Sequence, residues 1–196
     1  MATFQYRTTE RLRLTEFSIH DAARWKAISM SDMAALYYLN VYAVSENEVY
    51  EKLQRYSRNK DNGYYIAIRD RNRENVLIGG IIAVEGAKPG NFLEVECILN
   101  DNYQRGGYMK EALEEFFKMV DDTNLEKLCF TIDKKQVAYA ETLRQLGLQL
   151  ISQSATIYNQ LLYYEYPLSR IEWFGFFLYN KKGIIAKNKL SWYNMQ

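Results

Sequence analysis

The segment with the clearest potential for chemistry is Gln104–Met109, which has the sequence Gln-Arg-Gly-Gly-Tyr-Met. It follows a predicted strand that ends at Leu99 and precedes a predicted amphipathic helix. The first N–H groups of a helix have no partner within the helix, and the helix dipole is positive there, so such a turn suits a phosphate. The glycines would let the backbone approach an anion closely, and Arg105 could add a charge-assisted hydrogen bond. The same residues would also suit a plain glycine turn before a helix.

Two well-known phosphate motifs do not describe this segment. No Gly-Lys-Ser/Thr follows the glycines, so it is not a Walker loop, and the spacing Gly-x-Gly-x-x-Gly of dinucleotide-binding folds is also missing. A short motif of this kind is only a hypothesis until its structural context is known.

Two carboxylates on the same predicted strand are candidate bases. Glu94 and Glu96 lie two residues apart, so their side chains face the same side of the sheet. If that side faces a cleft, either carboxylate could take a proton from an amine, directly or through water. Otherwise both lie on a solvated face of the sheet. Tyr139, on a predicted helix, is a candidate proton donor, and its alternative role is half-buried packing.

The elements that must position these residues alternate between strand and helix. Period-two or β-branched patterns predict strands at Leu12–Glu16, Tyr64–Arg69, Val76–Val84, Phe92–Leu99 and Leu128–Ile132, and a final hairpin of Leu150–Ile157 with Leu161–Tyr166. Helices are predicted at 21–35, after the capping box Ser45-x-x-Glu48, after Gly107, and from Val137 to Leu146, where Gly147 ends the helix in a left-handed conformation. An antiparallel meander followed by strand–helix–strand predicts an α+β sheet with helices on its faces.

Length and composition predict one soluble globular domain. The chain has 196 residues, of which 48% are hydrophobic and 25% charged, which argues against a disordered or fibrous protein. A net charge of +1 gives no reason to expect nucleic acid as a partner. Cys97 and Cys129 have neither a disulfide pattern nor metal-ligand spacing. The apolar run near Trp173–Tyr179 is far shorter than the roughly 20 residues of a membrane span. With no secretory signal visible, we expect a cytoplasmic location.

The end of the chain differs in character from the rest. Residues 170–196 contain five basic side chains and only one acidic side chain, Glu172, together with seven Trp, Tyr and Phe residues. We therefore place a domain boundary near Leu168, with residues 1–168 as the domain and 169–196 as a basic, aromatic-rich extension. The extension could pack on the body or on a second copy in a homodimer, lie on an anionic membrane surface, or be disordered. Packing is favoured, because so many exposed aromatic side chains would promote aggregation.

Several segments together resemble one family. Gln104–Met109 resembles motif A of the Gcn5-related N-acetyltransferases (GNAT), Gln/Arg-x-x-Gly-x-Gly/Ala, which opens the long helix after the fourth strand. Glu111-Ala112-Leu113 is similar to the Glu-Ala-Leu of the RimJ/RimL-like branch, which acetylates the N-termini of ribosomal proteins. Thr9–Leu14, Ile78–Ile81 and Leu143–Leu148 resemble that branch's first strand, third strand and late helix end. The matches occur in the family's order between about Thr8 and Leu168.

The sequence also departs from the family pattern. Met109 replaces the last Gly or Ala of motif A. Many members have an Asn and a Ser where this chain has Gln136 and Tyr139, and the Asn contacts the pantetheine arm of the cofactor. Gln136 keeps the amide but is longer. Members that use a late Tyr as general acid have it where this chain has Leu143. These departures leave open a non-catalytic acyl-CoA-binding sensor or interaction module.

The resemblance implies an enzyme with a GNAT fold, a mostly antiparallel mixed sheet of six or seven strands flanked by helices. Such an enzyme transfers the acetyl group of acetyl-CoA directly to an amine and uses no metal. The acceptor could be a protein N-terminus, a polyamine, an aminoglycoside or another small amine. Glu96, Glu94 and Tyr139 are the candidate catalytic residues for this reaction. Tyr37 and Tyr38 lie between the first predicted helices, where the family usually forms its acceptor cleft, and their alternative role is core packing. The implied cofactor-binding residues are Ile98, Leu99, Gln104, Arg105, Gly106, Gly107, Tyr108, Met109 and Gln136.

Overall fold

Strands of one mixed sheet dominate the residues that the computed structural model describes, which are 7–31, 34, 42–58, 63–86, 91–121, 123–155 and 160–168. The strands in this part of the chain are β1 Arg7–Thr8, β2 Leu12–Glu16, β3 Tyr64–Asp70, β4 Val76–Glu85, β5 Phe92–Leu99, β6 Lys127–Asp133, β7 Gln149–Ala155 and β8 Gln160–Pro167. They are ordered β1-β2-β3-β4-β5-β6-β8-β7, and only β5 and β6 run parallel. The α+β prediction is therefore confirmed, and the two-residue β1 is the strand that the sequence did not predict.

Four α-helices flank the sheet within the described ranges. They are α1 Ala22–Ser29, α2 Glu46–Arg58, α3 Tyr108–Val120 and α4 Val137–Gln145. Helix α1 is shorter than the predicted 21–35. The Ser31 hydroxyl donates to the Ile28 carbonyl at 2.7 Å and so satisfies a backbone group at the helix end.

The predicted capping box forms in a modified way at the start of α2. The Glu48 N–H donates to the Ser45 hydroxyl at 3.3 Å, as the motif requires. The Glu48 carboxylate accepts from the Val44 N–H at 2.8 Å, one residue before the position that the motif specifies. Gly147 has φ of 84°, so the left-handed end of α4 is confirmed.

Two hydrophobic cores lie on opposite faces of the sheet, because strand side chains alternate between faces. On one face, Leu93, Val95, Cys97 and Leu99 of β5 join the core formed with α3 and α4. On the other face, Ile98 joins the core that contains Trp25 of α1 and Leu53 of α2. Strand β5 is thus packed on both sides.

A largely buried ion pair holds the first helix to the sheet. Arg69 of β3 makes two hydrogen bonds of 2.8 Å to the carboxylate of Asp21, which also accepts from the Ser18 N–H. The Arg69 Nε donates to the Thr15 hydroxyl at 2.8 Å. Removing one partner of such a pair leaves a buried charge uncompensated, which costs about 3–5 kcal/mol. This pair lies near the carboxyl end of β3, and it belongs to the framework.

Candidate active site

Strands β5 and β6 separate partway along their length. Their parallel pairing covers Phe92 with Lys127, Leu93 with Leu128, and Glu94 with Cys129. Beyond those pairs β5 continues to Leu99 and β6 continues to Asp133, but no further residues of the two strands pair with each other. The strands therefore leave a gap between their carboxyl ends, the region where α/β sheets commonly bind ligands.

Backbone N–H groups of β5 point into this gap. The Asn100 N–H donates to the Ile78 carbonyl of β4 at 2.8 Å. Hydrogen-bonded pairs alternate along an antiparallel ladder, so Ile98 also bonds toward β4, whereas the N–H groups of Cys97 and Leu99 point toward β6. Two backbone N–H groups, those of Cys97 and Leu99, could therefore donate to a ligand in the gap, while Ile98 can offer only its side chain.

The turn that follows β5 presents a second set of N–H groups. Arg105 has φ of 61° and Gly107 has φ of 78°, and α3 begins at Tyr108. The N–H groups of residues 105–110 meet no hydrogen-bond acceptor among the described residues. Left-handed residues in such a turn bring successive N–H groups into a concave nest that binds anions. We call residues 105–110 the anion nest.

Side chains around the anion nest are held in different ways. Gln104 donates from Nε2 to the Asp101 carboxylate at 2.8 Å and is exposed, as is Arg105. Tyr108 and Met109 pack partly against the core below α3. Gly106 is not left-handed, but a Cβ there would lie 2.9 Å from the Tyr108 ring, so the ring position favours glycine.

Two residues that sequence reasoning did not place in the site support this turn. Glu111 accepts hydrogen bonds from the Arg11 N–H at 2.9 Å, from the Arg11 Nε at 2.7 Å, and from the Thr9 hydroxyl. Arg11 Nη1 donates to the Gly106 carbonyl at 2.8 Å. Burial opposes ionisation of Glu111, but the hydrogen bonds from Thr9 and Arg11 outweigh it and hold its pKa below the ordinary value. Both residues lie in segments that resemble the family, Thr9–Leu14 and Glu111-Ala112-Leu113, and the fold brings these segments together.

Tyr139 lies beside Cys97 at the gap. The Tyr139 side chain, from α4, reaches the Cys97 thiol on β5. Burial raises the pKa of that thiol to about 12, and the nearby Tyr139 side chain opposes the rise. Leu143, the position of the late Tyr in other family members, is fully buried in the core instead. Of these two positions, only Tyr139 is placed near the gap.

Glu94 and Glu96 lie on the opposite face of β5 from Tyr139. Glu94 is exposed and Glu96 is half-buried. Burial lowers the pKa of Lys52 on α2, and the nearby charge of Glu96 opposes that shift. The charge of Glu96 also adds to the burial that raises the pKa of Tyr56. Glu96 therefore belongs to a partly enclosed polar group against α2, whereas Glu94 has the solvated position.

Three predicted site residues remain, and the structure describes only one of them, Gln136. The Gln136 side-chain carbonyl accepts from the Asp133 N–H at 2.9 Å and so caps the end of β6. Tyr37 and Tyr38 lie outside the described residues. In the described part of the chain, no group of three His, Cys, Asp or Glu side chains could hold a metal ion, and no helix is long and apolar enough to cross a membrane.

Comparison with known proteins agrees with this architecture. Residues 11–149 match the family model of the acetyltransferase (GNAT) domain. The chain therefore belongs to the GNAT acetyltransferase family, and its acyl-transfer fold is the one predicted from the sequence. No curated protein matches the sequence significantly.

Several solved structures have the same fold, and the match extends over nearly the whole of their chains. A GNAT-family acetyltransferase from Bacillus anthracis is 18% identical with a TM-score of 0.67, over 84% of this chain and 99% of that one. Ribosomal-protein-S5-alanine acetyltransferase from Vibrio fischeri is 15% identical with a TM-score of 0.69, over 85% and 98%. An acetyltransferase from Agrobacterium tumefaciens is 17% identical with a TM-score of 0.67, over 85% and 96%. At these identities the likeness establishes the fold.

Proposed function

We propose that the protein moves the acetyl group of acetyl-CoA to a primary amine by direct transfer. The observation that carries this proposal is the gap between β5 and β6, which the chain joins to the anion nest through residues 100–104. One ligand with an extended arm and a pyrophosphate would engage both features. Acetyl-CoA has that chemistry, and the GNAT family uses it.

The two features suit different parts of the cofactor. The N–H groups of the anion nest, from Arg105 through Met109, would bind the pyrophosphate, with the Arg105 side chain adding charge. The amide groups of the pantetheine arm would pair with the β5 backbone at Cys97 and Leu99, as an added strand does. Ile98 and Gln136 would border this arm through their side chains. Gln104 would act at the entrance, where it fixes Asp101.

The chemistry requires a nucleophile, a carbonyl donor and a proton donor. The neutral amine attacks the thioester carbon, and a β5 N–H stabilises the negative charge that develops on the carbonyl oxygen. The C–N bond forms as the C–S bond breaks, and the departing thiolate takes a proton from the Tyr139 hydroxyl. Glu96 takes the proton that the amine loses, directly or through water. Tyr139 and Glu96 lie on opposite faces of β5, so the two proton transfers would occur on opposite sides of the gap.

A protein N-terminus is the acceptor that demands least of this arrangement. Its pKa of about 7.7–8.0 leaves a substantial neutral fraction near pH 7.5, whereas lysine, at about 10.4, is almost fully protonated. A structural neighbour is named as an alanine acetyltransferase of ribosomal protein S5. We therefore place peptide N-termini first among the acceptors, followed by small-molecule amines such as polyamines and aminoglycosides.

A non-catalytic acyl-CoA sensor is the second candidate. Two observations favour it: the core leucine at 143, and the capping role of Gln136 in place of the family's pantetheine-contacting Asn. Such a protein would bind acetyl-CoA through the same nest and gap without turning it over.

Calorimetric titration with acetyl-CoA, followed by release of CoA with a panel of amines, separates these proposals. The panel should contain peptides with free Ala and Ser N-termini, matched N-acetylated peptides, a polyamine and an aminoglycoside. We expect binding, and release with the free peptides but not with their acetylated controls. Binding without release for any acceptor would favour the sensor. Absence of binding would overturn both proposals.

A further inference from the structure

The turn between β1 and β2 is fastened to the first turn of α3 by Arg11. Its Nη1 donates to the Gly106 carbonyl at 2.8 Å, and its Nε donates to Glu111 at 2.7 Å. Its guanidinium carbon lies 4.3 Å from the centre of the Tyr108 ring. The planar guanidinium is thus fixed by a carbonyl, a carboxylate and an aromatic face, each of which suits arginine.

The contact with Gly106 has a direct consequence for the anion nest. In a trans peptide group, the carbonyl and the following N–H point in opposite directions. Because the Gly106 carbonyl is directed at Arg11, the Gly107 N–H is directed away from Arg11. One hydrogen bond therefore sets the orientation of an N–H group in the middle of the nest.

The turn needs such a restraint, because one of its residues has an unfavourable backbone conformation and another is conformationally free. Arg105 is left-handed, which is unfavourable for a residue with a side chain, and Gly107 has no side chain to restrict it. Other backbone conformations are therefore accessible to this turn. Glu111 holds Arg11 through both its Nε and its backbone N–H, so the restraint is itself fixed to the helix.

We propose that Arg11 is a positioning residue that holds the Gly106–Gly107 peptide in the orientation required for pyrophosphate binding, with Glu111 holding Arg11 in turn. This inference rests on the proposed function, because it assumes that the nest receives the pyrophosphate of CoA. Arg11 acts through the peptide group and not by its own charge.

The test compares Arg11→Gln and Arg11→Lys with the wild type on ligands that do or do not carry a pyrophosphate. We expect Arg11→Gln to weaken binding of CoA and of 3′-dephospho-CoA by the same factor, about tenfold, the usual worth of one well-made hydrogen bond. The KM for acetyl-CoA should rise while kcat is kept. With acetyl-pantetheine, which lacks the pyrophosphate, kcat/KM should not change. Arg11→Lys should not restore affinity, because an ammonium cannot reach Glu111 and Gly106 together.

A matched control is available in the framework. Arg69→Gln breaks another arginine–carboxylate pair, Arg69 with Asp21, which is more buried than the Arg11–Glu111 pair. This variant should lower Tm without changing CoA affinity at 25 °C. Should Arg11→Gln fold poorly, Glu111→Gln provides a milder version, since its carbonyl can still accept from the Arg11 N–H. It should show the same selective loss for CoA over acetyl-pantetheine.

The outcomes separate failure of the positioning role of Arg11 from failure of the proposed function. Equal losses for acetyl-CoA and acetyl-pantetheine, full rescue by lysine, or unchanged CoA affinity in Arg11→Gln would each overturn the positioning role while leaving the proposed function in place. Failure of the wild-type protein to bind CoA would overturn the proposed function, and the positioning role with it.

Discussion

Strand β5 is extended along its whole length, but its two flanks, one facing β4 and the other facing β6, have different roles. On the β4 side, β5 is in register from Leu93 with Glu85 to Leu99 with Gly79. On the β6 side, pairing ends at Glu94. The β4 flank leaves no space: a Cβ at Gly79 would lie 2.3 Å from the Ile98 carbonyl. One flank therefore serves the framework, and the other exposes backbone groups to a ligand.

This comparison implies that substitutions on the two flanks should have different consequences. Those on the β4 flank should change the free energy of unfolding. Those on the β6 flank, and in the anion nest that continues it, should change affinity or turnover with smaller effects on stability.

The largest expected effect is on the β4 flank. Gly79→Ala places a methyl group against the Ile98 carbonyl and 2.7 Å from the Leu99 side chain. Because backbone must move to accommodate it, we expect the free energy of unfolding to fall by about 3 kcal/mol, the upper end for overpacking. Urea denaturation measures this change. In the control Gly106→Ala, the close contact of the added methyl, 2.9 Å, is with the Tyr108 side chain and not with backbone, so the loss of stability should be clearly smaller. Equal losses in both variants would remove the distinction between the flanks.

The next largest effect is expected in the anion nest. Gly107→Val should weaken acetyl-CoA binding at least about tenfold, because a Cβ at this position lies 3.5 Å from Arg11 Nη2 and the valine methyl groups would displace the guanidinium that holds the turn. Since φ is 78° there, valine should also destabilise the fold by about 1–2 kcal/mol. Calorimetric titration with a parallel melting curve measures both changes. Gly107→Asn, a residue that tolerates left-handed backbone better, should recover stability but not affinity. Recovery of both would mean that backbone strain alone caused the loss.

A smaller, pH-dependent effect is expected at Glu96. Glu96→Gln should lower turnover mainly at low pH, where little neutral amine is present without the help of a base. The ratio of wild-type to variant rates should therefore rise as the pH falls from 9 to 6. Glu94→Gln is the matched control on the same face of β5, and its solvated position predicts a weaker change. A ratio that is flat across this range would argue against a base role for Glu96.

The smallest effect concerns the stability contributed by Glu111. Its folded pKa lies below the ordinary value of 4.5, so its stabilising contribution is present above pH 4.5 and is lost as the pH falls through the folded value. The Tm difference between the wild type and Glu111→Gln should therefore be constant from pH 8 to about pH 6 and should shrink in acid. Scanning calorimetry measures it. A difference that grows below pH 4.5 would contradict the assigned direction of the pKa shift.

Local sequence patterns were sufficient to predict most of the fold. Alternation predicted Phe92–Leu99 with the bounds that the structure shows, and Gly147 was correctly placed at a left-handed helix end. The predicted end of α1 was wrong, because the helix ends at Ser29. The Ser31 hydroxyl bonds to the Ile28 carbonyl there, and one serine in the sequence is too weak a signal to predict a helix end. The prediction also missed β1, which is too short for a period to show.

The site was less predictable, because its features depend on contacts between distant segments. The gap begins where β6 separates from β5, after Glu94 and Cys129, and the residue pattern within either strand does not indicate that position. Arg11 and Glu111 are 100 residues apart, so each could be noticed within its own motif but not as a pair. The roles of Glu94, Glu96, Tyr139 and the cofactor-binding residues remain predictions, as does the boundary near Leu168.

The thiol beside the gap has a consequence for how the protein tolerates electrophiles. With a pKa of about 12, Cys97 is ionised in roughly one molecule in ten thousand at pH 8, and burial also raises the pKa of Cys129, to about 11. Peroxide, maleimides and disulfide reagents are electrophiles that react with the thiolate and hardly at all with the thiol. Both cysteines should therefore resist oxidation and labelling in the folded protein.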